Sequence, residues 1–405
     1  MTTRRERLDA FLAVVQSNWK FLVATFAASG LGYLGSSAAP VLVQALLDGT
    51  SFNEQDVGLL GTIELSTLAA TLFVLVPFVP HVSHRMLAVV GAIVTALGFG
   101  LTALSGAFLP FVIGRIIIGI GGGLAIAGAN AAIAARADAE RIYAIIWTAG
   151  GGVTAMLSGL LPLLVRGGEY ELGFGVLAGL AVLALPVLTW LPPRPAEQAP
   201  AAVDAAATPV ASGGRFGVPA LMVLAAVLLY SIAEQGLWQF SYSIPEKIGI
   251  SYDDIRIVLM VATLAGLLGG VVASWLGTRL GRVFPIVTGS LLSLFGRWCY
   301  INATSATALG AMAFLWGLGF YLVSPYQMGL AAALDRRGRV AVATGGMTNV
   351  GYGLGPWIAG SVIHQLGNSW LVVLVVGGTL LSLALLLPVA IWQDRAARAA
   401  KSLPA

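Results

Sequence analysis

The sequence predicts an all-α membrane protein, with twelve transmembrane helices arranged as two six-helix pseudo-symmetric halves. Three observations carry this expectation. Of the 405 residues, 58% are hydrophobic and only 10% are charged, against about 25% charged in a soluble domain. A chain of this length cannot hide so much apolar surface and still present a polar exterior to water. Apolar stretches recur at the length of about 20 residues that a helix needs to cross hydrocarbon. Segments of the first half also reappear in the second. Within a bilayer every backbone polar group must find its partner inside the segment, which leaves helix open; the short alternating segments of an outer-membrane barrel are not the pattern here.

The twelve spans fall at roughly 19–46, 56–79, 86–105, 108–133, 142–165, 171–191, 217–244, 253–276, 283–301, 306–333, 340–363 and 370–392. Most connections are short. The exception is 192–216, PPRPAEQAPAAVDAAATPVASGGRF, rich in Ala and Pro and without helical periodicity, which reads as a flexible linker. It divides the chain into an N-terminal half (1–191) and a C-terminal half (217–405). The 51 glycines suit helices that approach closely in lipid. The N-terminal stretch MTTRRERLDAFLAVVQSNW reads as a short amphipathic lead-in to an uncleaved first span, because the apolar segment after it is too long for a signal peptide's core.

Lys and Arg set the expected orientation, since they concentrate on the cytoplasmic side. With the N-terminus inside and the spans alternating, Arg166, Lys247 and Arg256 lie outside, and Arg115 and Arg297 lie within spans. The remainder of the 22 basic residues lie inside. Both termini are therefore expected in the cytoplasm, and a bacterial cytoplasmic (inner) membrane is the expected location. The same bias accounts for the net charge of +4 without a nucleic-acid partner. The single cysteine, Cys299, excludes an intramolecular disulfide and reads as a small packing residue.

The internal repeat shows in two places. SFNEQDVGLL at 51–60 aligns with SYDDIRIVLM at 251–260 at an offset of 200, so that Asn53 meets Asp253 and Glu54 meets Asp254. In spans four and ten, Gly119 and Gly121 meet Gly317 and Gly319, at an offset of 198. Parallel repeats of this kind are a plan of secondary transporters, in which two similar halves rock about a site held between them.

Four features resemble the major facilitator superfamily. SWLGTRLGR, between spans eight and nine, carries Arg279, Gly281 and Arg282 and is similar to that family's gating pattern G-x-L-A-D-R-x-G-R. GRIIIGIGGG in span four, with Arg115 and Gly119, is similar to its R-x-x-x-G motif. Gly152, Gly159 and Pro162 in span five, and Gly355 and Pro356 in span eleven, resemble its Gly-Pro antiporter motif. The departures are specific. Thr278 stands at the acidic position and Ser274 at the first Gly, and the matching first-half loop HVSHR keeps Arg85, with His81 where the acid would be. The resemblance implies alternating access, and a central cavity lined in part by span seven. Arg85, Arg279, Gly281 and Arg282 are the gating candidates, with arginines able to donate to helix carbonyl ends, where cations are favoured.

Ionisable groups inside spans are functional candidates because the bilayer disfavours them. Four are expected: Glu64, Arg115, Glu234 and Arg297. Glu234 lies ten residues before Pro245, roughly 15 Å from the outer end of its span and so near the midplane. Tyr230 and Trp238 flank it at i−4 and i+4 on one helix face, a setting for a proton or a ligand cation. Glu64 and Arg115 lie at similar depths, roughly 10–12 Å, and are placed to pair. Their counterparts at the repeat offsets, Leu264 and Ala313, are apolar. Arg297 is expected near the outer end of span nine, snorkelling to the interface. Tyr33 in span one completes the expected substrate- or proton-binding set.

No G-x-x-x-x-G-K-[ST], G-x-S-x-G or H-E-x-x-H pattern occurs, and His81 and His84 read as loop residues. No enzyme activity, cofactor or metal is expected. The expected function is a monomeric secondary active transporter of a small organic solute, coupled to protons and working by alternating access. The alternatives are a membrane sensor or receptor, and an enzyme acting on lipid-linked substrates.

Overall fold

The computed structural model describes residues 4–75, 78–134, 136, 139–165, 168–193, 216–247, 249–277, 279–334 and 339–401. Among these residues there are helices and no strands. In chain order they are α1 (Arg4–Gly49), α2 (Glu54–Leu75), α3 (His84–Ala103), α4 (Phe108–Ala134), α5 (Ala139–Leu160), α6 (Tyr170–Leu188), α7 (Val218–Gln239), α8 (Ser243–Lys247), α9 (Tyr252–Leu276), α10 (Val283–Ile301), α11 (Ala306–Leu334), α12 (Arg339–Leu366) and α13 (Asn368–Lys401). Twelve are long and α8 is a single short turn. Nine of the described helices are long and apolar enough to cross a membrane. The other long ones, α5, α10 and α12, fall where spans are expected; α5 contributes a shorter apolar stretch, Thr148–Leu163, and α10 carries Arg297. Most of the expected linker, residues 194–215, lies outside the described residues.

Span seven differs from the expectation of one run over 217–244. α7 stops at Gln239, its end capped where the Phe240 N–H reaches the carbonyls of Leu237 and Trp238, and the chain resumes helically only at Ser243. Pro245 sits in α8. The lead-in to the first span is helical and continuous with it, since α1 runs unbroken from Arg4 through Pro40 to Gly49.

The chain forms two compact units. One comprises Met1–Gly35, Thr67–Gly150 and Phe174–Asp204; the other comprises Ser36–Ser66, Gly151–Gly173 and Ala205–Ala405. In the first, α3 packs along α4. An alanine-lined core joins Ala24 and Ala28 of α1, Ala88 and Ala92 of α3, Ala125, Ala129 and Ala132 of α4, and Ala181 of α6. In the second, α11 packs on α9 and α10, and α7 packs on α12 and α13. Its core joins Val223, Ala226 and Val227 of α7 with Ile286 of α10, Leu322 and Leu330 of α11 and Leu386 and Val389 of α13.

Glycine sets both helix-pair spacings, and at one offset. A Cβ on Gly121 would lie 2.5 Å from Thr95 N and 2.7 Å from Gly91 O; a Cβ on Gly319 would collide with Ser293 N and lie 2.6 Å from Gly289 O. One level along, a Cβ on Gly98 would lie 2.8 Å from Ile118 N, and one on Gly296 would lie 2.7 Å from Met312 O and collide with Trp316 N. Each of these positions corresponds to its counterpart at an offset of 198.

The same offset holds at helix starts and corrects the offset of 200 assigned to 51–60. At α2, Asn53 Oδ1 accepts from Asp56 N at 3.0 Å and Asp56 Oδ2 accepts from Asn53 N at 3.1 Å. At α9, the Ser251 hydroxyl caps Asp254 N at 3.2 Å and donates to Asp254 Oδ2 at 2.7 Å. The α2 box satisfies two N–H groups reciprocally, and the α9 cap satisfies that of Asp254. The equivalent caps are thus Asn53 with Ser251 and Asp56 with Asp254, which places Glu64 opposite Ala262 rather than Leu264.

Because added methyl groups at such contacts force the helices apart, Gly121→Val and Gly319→Val should each destabilise the protein by about 1–3 kcal/mol. Gly100→Ala and Gly175→Ala, where a Cβ meets nothing within 4 Å, should leave the thermal midpoint in detergent unchanged or slightly raised. Equal midpoints for all four variants would remove glycine packing as the determinant of helix spacing.

Candidate functional site

α7 carries Tyr230, Glu234 and Trp238 one turn apart, and the first two are buried, at 2% and 8% exposure. The structure brings them against α10, α11 and α13. Glu234 Oε1 accepts a hydrogen bond from the Trp316 indole N–H of α11 at 2.7 Å, and Glu234 Oε2 lies 3.3 Å from Arg297 Nη1 of α10. Arg297 is wholly enclosed, at 0% exposure. Its Nη2 donates to Thr379 Oγ1 of α13 at 2.9 Å, its Nε donates to the Ser293 carbonyl at 3.3 Å, and its guanidinium lies over the Tyr230 ring at 4.9 Å. The Tyr230 hydroxyl donates to Ser293 Oγ at 3.1 Å.

This arrangement overturns the snorkelling expected of Arg297. α10 meets α11 and α13 at this level, and the guanidinium finds an anion, a hydroxyl, a carbonyl and an aromatic face without leaving the protein. It also changes the depth assigned to Glu234. Measured from the true end of α7 at Gln239, Glu234 lies roughly 7.5 Å in, and Arg297 lies at a similar distance from the end of α10 at Ile301. Counting to Pro245 through a helix that in fact breaks had separated two groups that share one level.

Aromatic rings close round the pair. Trp316 meets Trp238 at 6.2 Å and Tyr300 at 5.5 Å between centroids, and Tyr230 stacks on Phe320 at 6.4 Å. The Tyr300 hydroxyl donates to the Ser241 carbonyl, one of the carbonyls freed where α7 ends. The Trp238 indole donates to the Ser36 carbonyl and Gln235 Nε2 to Ser36 Oγ, both at 3.1 Å, so the second half of α1 packs on this face of α7.

The remaining expected site residues are described within their own units. Glu64 is buried at 3% exposure on α2, in the same compact unit as Glu234; Arg115, at 6%, belongs to the other unit and lies 4.9 Å over the Phe174 ring. Tyr33 is half-buried on α1, also in the other unit. Of the gating candidates, Arg85 Nε donates to the Leu191 carbonyl beyond the end of α6 at 2.8 Å. Arg282 Nη1 donates to Gln393 Oε1 at 3.1 Å, a side chain rather than a helix-end carbonyl. Arg279 lies 5.9 Å over the Trp275 ring. Gly281 has φ +75°, and a Cβ there would lie 2.9 Å from Asp394 Cγ. Thr278 lies outside the described residues.

Asp394, which sequence reasoning missed, organises that loop. Its carboxylate accepts from the backbone N–H groups of Arg282 at 2.9 and 3.0 Å and of Val283 at 3.1 Å. It caps the start of α10, where negative charge is favoured, from the far end of α13. The acid absent from the loop is thus supplied from a sequence-distant helix, and only its proximity in space reveals it. His84 is also misplaced by sequence. Rather than lying in a loop it opens α3 at 2% exposure, because the Ser83 cap starts the helix there. Among the described residues no group of three His, Cys, Asp or Glu could hold a metal.

Helices long and apolar enough to cross a membrane, enclosing a buried ion pair, define a polytopic α-helical membrane protein. The chain belongs to the Major Facilitator Superfamily, whose family model matches residues 21–345 and again 223–404. Two solved structures share its fold. Both are of a bacterial homologue of the human lysosomal transporter Spinster in inward-facing conformations. The unoccupied form has a TM-score of 0.67 and the occupied form 0.69; each is 16% identical, covering 93% of this chain and 96% of the other.

Removing one partner of a buried ion pair strands the other charge, at a cost of about 3–5 kcal/mol. Arg297→Met should therefore sharply lower the thermal midpoint, and the double variant with Glu234→Gln should recover most of the loss. Additive effects in the double-mutant cycle would show that the two side chains are not energetically coupled.

Proposed function

We propose that the protein is a secondary active transporter of a small organic solute, coupled to protons and working by alternating access between two six-helix halves. The observation that carries this reading is the ion pair of Glu234 and Arg297, buried in apolar helices and ringed by aromatic side chains. A charged pair in the bilayer interior is disfavoured unless function retains it. Membership of a superfamily of membrane transporters supports the class, and the description of the structural relatives as a transporter's homologue is consistent with it.

In this reading Glu234 is the coupling acid, with Tyr230 and Trp238 shaping its face of the cavity. When Glu234 takes a proton its attraction to Arg297 falls. Arg297 keeps Thr379, the Ser293 carbonyl and the Tyr230 ring, so it stays in place while the carboxyl is freed for a new partner. Glu64, Arg115 and Tyr33 are assigned to solute or proton binding. Arg85, Arg279, Gly281 and Arg282 are assigned to the cytoplasmic gate. The protein works as a monomer in a bacterial cytoplasmic membrane, with both termini inside.

Glu234→Gln keeps shape and hydrogen bonding but removes titration. In proteoliposomes it should abolish solute movement driven by an imposed pH gradient while leaving downhill exchange. Gradient-driven movement equal to the parent's, with the same pH profile, would make Glu234 structural; no flux of any solute in the parent would favour a sensor.

Orientation is tested separately. A phosphatase reporter active only outside the cytoplasmic membrane, fused after Ala405, should be silent. Strong activity would reverse the topology.

A further inference from the structure

A second polar centre lies away from the α7 pair, where α1 ends, α2 begins, and α8 and the end of α12 meet them. A cavity of about 570 Å³ opens there, lined by Gln44, Asp48, Phe52, Glu54, Glu246 and His364 among others. All of these residues belong to one compact unit. The lining is acidic: three carboxylates face one imidazole, whose Nδ1 lies 3.6 Å from Glu54 Oε2.

Carboxylates alone would define only a solvated acidic surface. Gln44 adds an independent observation. It is buried, at 6% exposure, and its amide is polarised in one direction, with Nε2 donating to Asp48 Oδ1 at 2.9 Å. Its Oε1 is then an enclosed acceptor without a hydrogen-bond partner. A buried acceptor left unmet is destabilising, and with its own donors turned toward Asp48 this one calls for a donor arriving from the cavity. Burial, and then the charge of Asp48, also push the Glu246 carboxyl above its ordinary range, since both disfavour its charged form.

The chemistry that meets these demands is a cation that donates hydrogen bonds. A bare metal ion fits poorly, because no three of the described carboxylate or imidazole groups converge on a coordination point. An alkylammonium fits. Its N–H groups supply donors to Gln44 Oε1, its charge answers Asp48 and Glu246, and its carbon chain can lie against the Phe52 ring. We propose that this cavity binds an organic ammonium ion, with Gln44 Oε1 as the neutral acceptor and Asp48 and Glu246 as counter-charges. The site is separate from Glu234 and stands whether or not the chain transports protons.

The test uses full-length protein in phosphatidylcholine nanodiscs and 1,4-diaminobutane as probe, followed by titration calorimetry at constant ionic strength. Saturable binding is expected. Gln44→Met and Glu246→Gln should each weaken it tenfold or more, and Gln44→Glu, of nearly the same shape, should tighten it. Gln44→Glu also keeps the test open if Gln44→Met fails to fold. Three results would each overturn the proposal: no saturable binding to the parent, unchanged affinity in folded Gln44 and Glu246 variants, or displacement of the diamine by low calcium, which would make this a metal site. Binding lost in Glu234→Gln but kept in Gln44→Met would place the amine at the α7 pair and overturn it as well.

Discussion

The close approach of α10 and α11 is the constraint on which the polar centre depends. Gly296 lets the backbone of α10 lie directly against Trp316 of α11, and Arg297 is the next residue along. The same contact therefore delivers the two side chains that hold Glu234, the guanidinium from α10 and the indole from α11. Any side chain at Gly296 would separate the helices by more than a hydrogen bond can follow. The corresponding contact in the other unit, at Gly98, has the same backbone geometry but places Phe99 where Arg297 stands. The scaffold is thus repeated and the charge is not.

That division explains what the sequence made legible. Helix placement follows from runs of apolar residues, a property local to each segment, and nine of the described helices are long and apolar enough to cross a membrane where runs predict spans. The offset of 198 could be read at Gly119 and Gly121, where identical residues align. It was misread at 51–60, where similar residues invite an offset of 200 and only the cap hydrogen bonds at Asn53 and Ser251 reveal the register. Glu234 could be singled out because an acid in an apolar helix is conspicuous in one dimension. Its partner could not, because Arg297 lies 63 residues on and depth had to be counted from a helix end that the sequence did not mark. Pro245 has no N–H to give the Ser241 carbonyl four residues back, which leaves that oxygen to the Tyr300 hydroxyl; a proline six residues beyond Gln239 does not mark where the helix stops.

The loop before α10 teaches the same lesson about motifs. A pattern expects an acid at a fixed place in the loop, and this chain has threonine there. Asp394 is the acid that the structure sets against the loop, reaching it from the last helix. The requirement is physical, an anion at exposed N–H groups where a helix begins, and any chain segment that can reach may satisfy it.

α1 has a geometric consequence of its own. Its 46 residues amount to about 69 Å of helical rise, more than twice the roughly 30 Å thickness of a hydrocarbon core. Where such a helix leaves the lipid is set by side chains that favour the boundary layer. Trp19 stacks edge-on against Trp190 at 5.1 Å, with the Lys20 ammonium 5.8 and 5.9 Å from the two rings. The trio ties α1 to the end of α6 through side chains of the kind that favour the lipid boundary. Because the two rings touch, a shift of α1 along its axis would drag both tryptophans out of their preferred layer together.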